Sequence, residues 1–311
     1  MALANRKIGY DEVKPRDLHF DMTDVPKYWM NNDPWTTHWW NALLAAVPDG
    51  ERWVMQCVRK NLVKVSDEKV RKAGIDFIKQ EHFHAREHDI MNKAVMAHGV
   101  PVDKVEDAFK RTRTFLQRFL SEDMQLSTMA AGEHFTGTIS AVFVDHPEIF
   151  KDFDPSLGAM IAWHMIEETE HKSVSFDVYQ DAVGSYPKRI AGMVLMTGIF
   201  FAISEYQRLI LVAKDGHLFN WRSALKGLKF QFTQPGFMRL LVKHYLPYYS
   251  PNFHPWDHDN RAQLRAWKDT FDATGDTMKA YKAFFDATGD TMKAYKAFIG
   301  EGPVSTLKSV A

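Results

Sequence analysis

The chain has 311 residues, 45% of them apolar, which allows one large domain or two ordinary ones with a real core. Its 39 basic and 39 acidic residues cancel, so the molecule as a whole has no field that would hold nucleic acid. Cys57 is the single cysteine, which excludes an intramolecular disulfide, and the opening MALANRKIGYDEVKPRD has no apolar stretch, so a cytoplasmic protein is expected.

Residues 1–35 read as an irregular segment, because Pro15, Pro26 and Pro34 interrupt any helical run. A helix is predicted near 35–46. Pro48-Asp49-Gly50 should stop it and start the next, over about 49–64, which carries Glu51. Ser66-Asp67 caps a long helix to His98 that carries Glu81 and His84 and is closed by Gly99 and Pro101. Asp103 opens a helix with Lys110, Arg111, Arg113 and Arg118, and Ser121 opens one that carries Glu133 and ends near Asp145-His146-Pro147. Asp154-Pro155 is a cap followed by proline in the first turn. The helix it opens should run to Val183, stop at Gly184 and Pro187, and carry Glu168 and His171. No segment sustains a period-two alternation, so the expected class is all-α.

Residues 190–203, IAGMVLMTGIFFAI, are apolar without a break but short of the roughly 20 needed to cross a bilayer. They read first as a helix buried against the bundle. The alternative is contact of 190–213 with a lipid substrate or with the inner face of a membrane. Residues 247–260 form an aromatic, proline-rich loop, placed over a site or on the surface. The tail repeats FDATGDTMKAYKAF at 271–284 and 285–298, a duplication that a helix or helix pair absorbs without catalytic meaning. The expected organisation is an irregular segment at 1–35, a four-helix bundle at 36–186, an apolar helix and loop packed on it at 187–260, and a helical tail at 261–311.

The chemistry lies in one ordered pattern: Glu51, then Glu81-x-x-His84, then Glu133, then Glu168-x-x-His171. One Glu followed by Glu-x-x-His, given twice on separate helices, is the ligand set of a di-metal carboxylate site in a four-helix bundle. Positions i and i+3 differ by about 60° around a helix, so each Glu and its His share a face. A lone helical Glu is usually a solvated charge, and single Glu-x-x-His pairs arise by chance in a chain with 14 histidines; the pair of pairs is what points to metal. An oxygen-rich donor set suits two divalent ions, iron first, with manganese or zinc as alternatives. His164 lies on the same face as Glu168 and His171 and is a candidate seventh ligand. His88, in a charged run, reads as an outer or surface histidine. Glu167 competes with Glu168. His82 and His134 point about 100° away from their ligand neighbours and are left out. Asp177, Asp89 and Glu170 are candidates to hold the far nitrogen of a metal-bound His.

The segment from Trp163-His164-Met165-Ile166-Glu167-Glu168 through His171-Lys172 to Phe176-Asp177-Val178-Tyr179 resembles the bacterial family known as predicted metal-dependent hydrolases. So do Pro48-Asp49-Gly50-Glu51, Gln80-Glu81-His82-Phe83-His84 and Phe253-His254-Pro255-Trp256, over roughly residues 20–260. The ligand order resembles the ferritin-like di-iron superfamily, and His164-x-x-x-Glu168-x-x-His171 is similar to the cluster of p-aminobenzoate N-oxygenases. These resemblances imply a ferritin-like four-helix bundle with additional C-terminal helices. They imply Glu81 and Glu168 as bridging ligands and Glu51 and Glu133 as terminal ones, with His84 on one ion and His171, with His164, on the other.

Three functions fit. The leading expectation is a di-iron oxygenase or oxidase that uses O2 and an external electron donor on a small hydrophobic substrate, lodged among 190–203 and 247–256. The second is hydrolysis by a di-metal-activated water, for which no acid is identifiable and which four carboxylates disfavour by offsetting Lewis acidity. The third is iron binding without catalysis, against which the residues after the fourth ligand helix weigh. A homodimer is compatible with each.

Overall fold

The first helix, α1 (Pro34–Asn61), starts where the Asp33 side chain accepts the Thr36 N–H and Pro34 sits in the first turn. It then runs straight through Pro48, so the expected stop and restart there does not occur. Proline removes one helical donor and crowds the carbonyl four residues back, at about 3 kcal/mol. What offsets this is packing: Trp39, Trp40, Leu44, Trp53 and Val54 are all buried along the same helix. Nδ2 of Asn92 also lies 3.4 Å from the Ala45 carbonyl, three residues before the ring.

Residue 10 and residues 13–149, 153–233 and 236–298 are described in this computed structural model. Helix α2 (Glu68–Ala97) is capped by Asp67, and Gly99 follows it at φ 77°. Then come α3 (Val102–Phe119) and α4 (Glu122–Asp145), the latter capped by Ser121. Helix α5 (Pro155–His171) is capped by Asp154 but ends well short of the expected Val183: Lys172 and Ser173 form a turn, and α6 (Val174–Ala182) resumes beyond it. No glycine or proline marks that break. Its fixing contacts are distant in sequence, since Lys172 Nζ donates to the His258 carbonyl at 2.6 Å and to Asn260 Oδ1 at 2.8 Å.

Helix α1 packs along α2 and against α4, and α5 packs on α4 and α2, so these four enclose one interior, with α6 continuing the α5 wall. Outside α4 lies one 29-residue helix made of α7 (Tyr186–Phe201), a π turn (Ala202–Gln207) and α8 (Arg208–Lys214). By length and composition this helix is able to cross a membrane, although the apolar run 190–203 alone is not. Only a third of its apolar window is buried. Met193, Met196, Phe200 and Leu211 face inward, whereas Val194, Phe201, Tyr206 and Leu209 are exposed. The expectation of a buried helix therefore holds for one face.

Helices α9 (Trp221–Phe232) and α10 (Phe237–Tyr245) follow, then two 3-10 turns, Leu246–Tyr249 and Pro255–Asp257, that bracket the aromatic loop. Helices α11 (Arg261–Thr274) and α12 (Thr277–Phe298) pair with each other, and α12 lies on α5. The duplicated segment takes two conformations. In the first copy the chain breaks at Gly275, φ 65°, and Asp276 accepts the Met278 and Lys279 N–H groups, both at 3.0 Å. In the second copy the same sequence is continuous helix within α12. Among the described residues the sole β feature is one antiparallel bridge, Met30 with Phe153. The fold is all-α.

Candidate metal centre

Four helices each send donors into the same interior: Glu51 from α1, Glu81 and His84 from α2, Glu133 from α4, and His164, Glu168 and His171 from α5. All seven are buried. They fall into three overlapping groups that make two sides. Donor atoms of Glu81, Glu133, Glu168 and His171 all lie within 4.8 Å of one another, as do those of Glu51, Glu81 and His84, and those of His84, His164 and Glu168. Glu81 and Glu168 belong to both sides. Glu81 Oε1 is 3.2 Å from His171 Nε2 and 3.6 Å from His84 Nδ1. Glu168 Oε1 is 3.1 Å from both His171 Nε2 and His164 Nε2, and 3.8 Å from His84 Nδ1.

This placement corrects the grouping of His164. Its Nε2 is 3.5 Å from Glu51 Oε1, so it stands with Glu51 and His84 rather than with His171. The two histidines do share a helical face, but seven residues advance the chain about 10 Å along the axis, and Glu168 lies between them. His88 is likewise no surface residue. It is buried, with Nε2 2.8 Å from His164 Nδ1, and is within reach of Glu51.

A second layer fixes the rings. His171 Nδ1 meets Gln80 Oε1 at 3.0 Å, and Gln80 Nε2 donates to Glu170 Oε2 at 3.2 Å. His84 Nε2 meets Glu167 Oε2 at 3.1 Å. Arg16 donates to Glu167 at 2.8 Å and to both oxygens of Glu170, at 2.9 and 3.0 Å. Lys268 adds an ion pair to Glu170 at 3.0 Å. Glu167 therefore supports His84 instead of competing with Glu168. Glu170 acts through Gln80. The other two supporting candidates lie elsewhere: Asp177 binds Tyr10 and His254, and Asp89 pairs with Arg52. His82 is exposed, and His134 turns to the His244 carbonyl at 3.2 Å, as their helical angles predict. Gln80 and Arg16 were not legible as site residues, since neither belongs to a metal-ligand pattern.

Burial governs the protonation of the cluster, and neighbours then divide it. Burial pushes the Glu51 and Glu133 carboxyls well above the usual range, and the carboxylate of Glu81 pushes the same way. Burial would also raise Glu168, but the positive side of His171, with the His164 and His171 rings each 3.1 Å from its Oε1, holds it well below. Burial works to lower His84 and His171. The carboxylates Glu167 and Glu81 outweigh it at His84, and Glu168 at His171, so both rings are raised. His164 and His88 stay lowered by burial.

The residues fit metal on a direct test. Both carboxylate oxygens of Glu51 and of Glu81, Oε2 of Glu133 and of Glu168, Nδ1 of His84 and Nε2 of His171 are buried and have no hydrogen-bond partner among the described residues. Groups this polar are rarely left buried without a partner, and these are the atoms that converge. His84 and His171 each commit the opposite nitrogen to the second layer, as metal-bound imidazoles do.

Two cavities touch the centre. One, about 140 Å³, is walled by apolar side chains that include Phe109, Met129, Phe135, Ile199 and Phe200, and ends on Glu51, Glu133, His164 and Glu168. Phe109, Ile199 and Ile203 also line a cleft of about 380 Å³ between α3 and the π turn. The other, about 210 Å³, lies under the aromatic loop and is lined by Glu133, His134, Lys172, His244 and Phe253 among others. The apolar helix and the aromatic loop thus border different cavities that meet the cluster at Glu133.

By fold and site, this is an all-α protein that gathers buried carboxylates and imidazoles suited to binding metal. The chain belongs to the family described as predicted metal-dependent hydrolase, whose model matches residues 14–259. No curated protein and no solved structure matched the chain.

Proposed function

We propose that the chain is a dinuclear metal-dependent enzyme on a ferritin-like four-helix bundle, acting on a substrate with an apolar body. The observation that carries this reading is the convergence of unpartnered carboxylate and imidazole atoms at the end of an apolar cavity. Glu81 and Glu168 would be shared between two ions. Glu51, His84 and His164 would complete one side, and Glu133 and His171 the other. Two bound divalent ions supply Lewis acidity to a water or, if they are iron, electrons to O2. The chain's own part is to aim the imidazoles through Gln80 and Glu167 and to hold the apolar body of the substrate away from water.

Hydrolysis is the reaction that the family description supports. A proton source for the leaving group, missing from the sequence pattern, has a candidate in Lys172. It lines the cavity that reaches Glu133, and burial lowers its ammonium to about 7. Oxidation by O2 is the second reading, and the donor set favours it. Four carboxylates weaken the Lewis acidity that hydrolysis uses and stabilise the higher oxidation state of iron.

Metal analysis of protein purified without chelator tests the centre, and two ions per chain are expected. Turnover of aryl esters of increasing chain length without O2, supported by zinc or manganese, selects hydrolysis. O2 uptake in proportion to added Fe(II) selects oxidation. Protein that binds no metal after anaerobic loading would sink both.

A further inference from the structure

Helix α9 shows solvent the side that a dissolved domain normally buries. At 100° per residue Trp221, Leu225, Leu228 and Phe232 fall in a stripe about 60° wide, and all four are exposed. The face that meets the rest of the protein is mostly small and polar: Ser223, Gly227 and Gln231 are buried there, with Phe230. Ser223 Oγ donates to Asp33 Oδ2 at 2.8 Å, and a Cβ on Gly227 would stand 3.1 Å from Cβ of Trp35. The seating of α9 is thus set by its polar face, and the apolar stripe has no role in it. Phe219, two residues before the helix, adds to the stripe and is 92% exposed. Contiguous apolar exposure of this kind marks an interaction surface.

The charge is equally one-sided. Between Asp215 and Asp257 the sequence has no acidic residue and five Lys or Arg, in a chain whose net charge is zero. Arg222, Lys226 and Lys229 lie on one flank of the stripe, about 80–140° from Trp221, and all are exposed. Arg239 and Lys243 on α10 are exposed as well.

We propose that α9, with Phe219, docks on an anionic phospholipid bilayer. The helix lies in the plane of the interface, its Trp-Leu-Leu-Phe stripe at the acyl boundary and its basic flank among the headgroups. A protein partner or a second copy would cover the same stripe, but neither calls for a segment free of acids. A negative lipid surface repels every carboxylate it meets, and this segment has none. The inference is independent of either reading of the metal centre.

Flotation of the full chain with vesicles tests it, comparing phosphatidylcholine alone with phosphatidylcholine and phosphatidylglycerol at low and high salt. Binding is expected to the anionic vesicles only and to weaken with salt. Lys226→Glu with Lys229→Glu should lower partitioning at least about tenfold. Trp221→Asp with Leu225→Asp should abolish it, with metal content and melting temperature kept. Should these variants misfold, Trp221→Phe serves instead: bromine on the acyl chains should quench wild-type fluorescence and quench this variant less. No binding to anionic vesicles overturns the proposal. So does binding indifferent to lipid charge, or a dimer that Trp221→Asp dissociates in a protein that ignores vesicles.

Discussion

His171 has two ring nitrogens, and the fold chooses between them. Gln80 holds Nδ1, so Nε2 faces Glu81 and Glu168. Glu167 makes the mirror choice for His84, leaving Nδ1 inward. Replacing such a supporting partner typically lowers metal affinity about 10–100-fold. Gln80→Leu should therefore weaken metal binding by that order in a competition titration with a chromophoric chelator, without removing a ligand. Glu168→Ala takes away a carboxylate placed between both halves and should reduce the metal content outright. Wild-type occupancy in that variant would refute its assignment.

Protonation gives a second test at the same scale. Glu51 and Glu133 are raised by burial, and His84 and His171 are raised by neighbouring carboxylates, so all four favour the proton-bound form before metal enters. A ligand must be deprotonated to bind. Loading should hence release protons at neutral pH, and affinity should climb as pH rises. Calorimetry in two buffers of different ionisation heat measures the release; a count of zero would mean that these groups are not ligands.

The seven converging residues were legible because metal chemistry imposes a spacing that helices display. What was not legible obeys no spacing. Arg16 comes from a segment with no regular structure, and Gln80 looks like any polar helical residue. His164 lies on the expected face, and it is the axial rise along α5, which a helical angle does not carry, that brings it beside Glu51.

Among the elements, starts were easier to read than stops. Asp67, Ser121 and Asp154 all cap as their side chains predict. Pro48 did not stop α1, because packing along a 28-residue helix outweighs one lost bond. The turn after His171 is fixed by contacts with residues 258 and 260 that no local signal reports. The duplicated segment shows the same limit directly, since one sequence breaks at Gly275 and continues as helix in its second copy. Contact between elements also yields a prediction. Helix α7 meets α4 at Gly192, where a Cβ would stand 2.7 Å from the backbone carbon of Ser127. Backbone cannot step aside as a flexible side chain does. Gly192→Ala should cost about 1–3 kcal/mol, read as a lower denaturation midpoint with an unchanged slope.

For the molecule as a whole, the centre ties together helices that are far apart in the chain. Glu51, Glu81, Glu133 and Glu168 come from α1, α2, α4 and α5, and their inner oxygens are largely without hydrogen-bond partners. Such a cluster is a liability to folding until its charges are balanced. Metal that binds the folded chain and not the unfolded one adds RT ln(1 + [L]/Kd), about 4 kcal/mol at a thousandfold excess over Kd. For a chain of 311 residues, the usual unfolding entropy per residue converts this to a rise of about 6 °C in melting temperature. Chelator should lower the melting temperature by that order, and added metal should restore it. The gap should widen from pH 6 to pH 8, because the raised carboxyls and imidazoles release their protons more readily there and the ions bind more tightly. Glu168→Ala should show little gap at either pH. A wild-type protein that melts at one temperature with and without metal would mean that the four helices close on this cluster by packing alone.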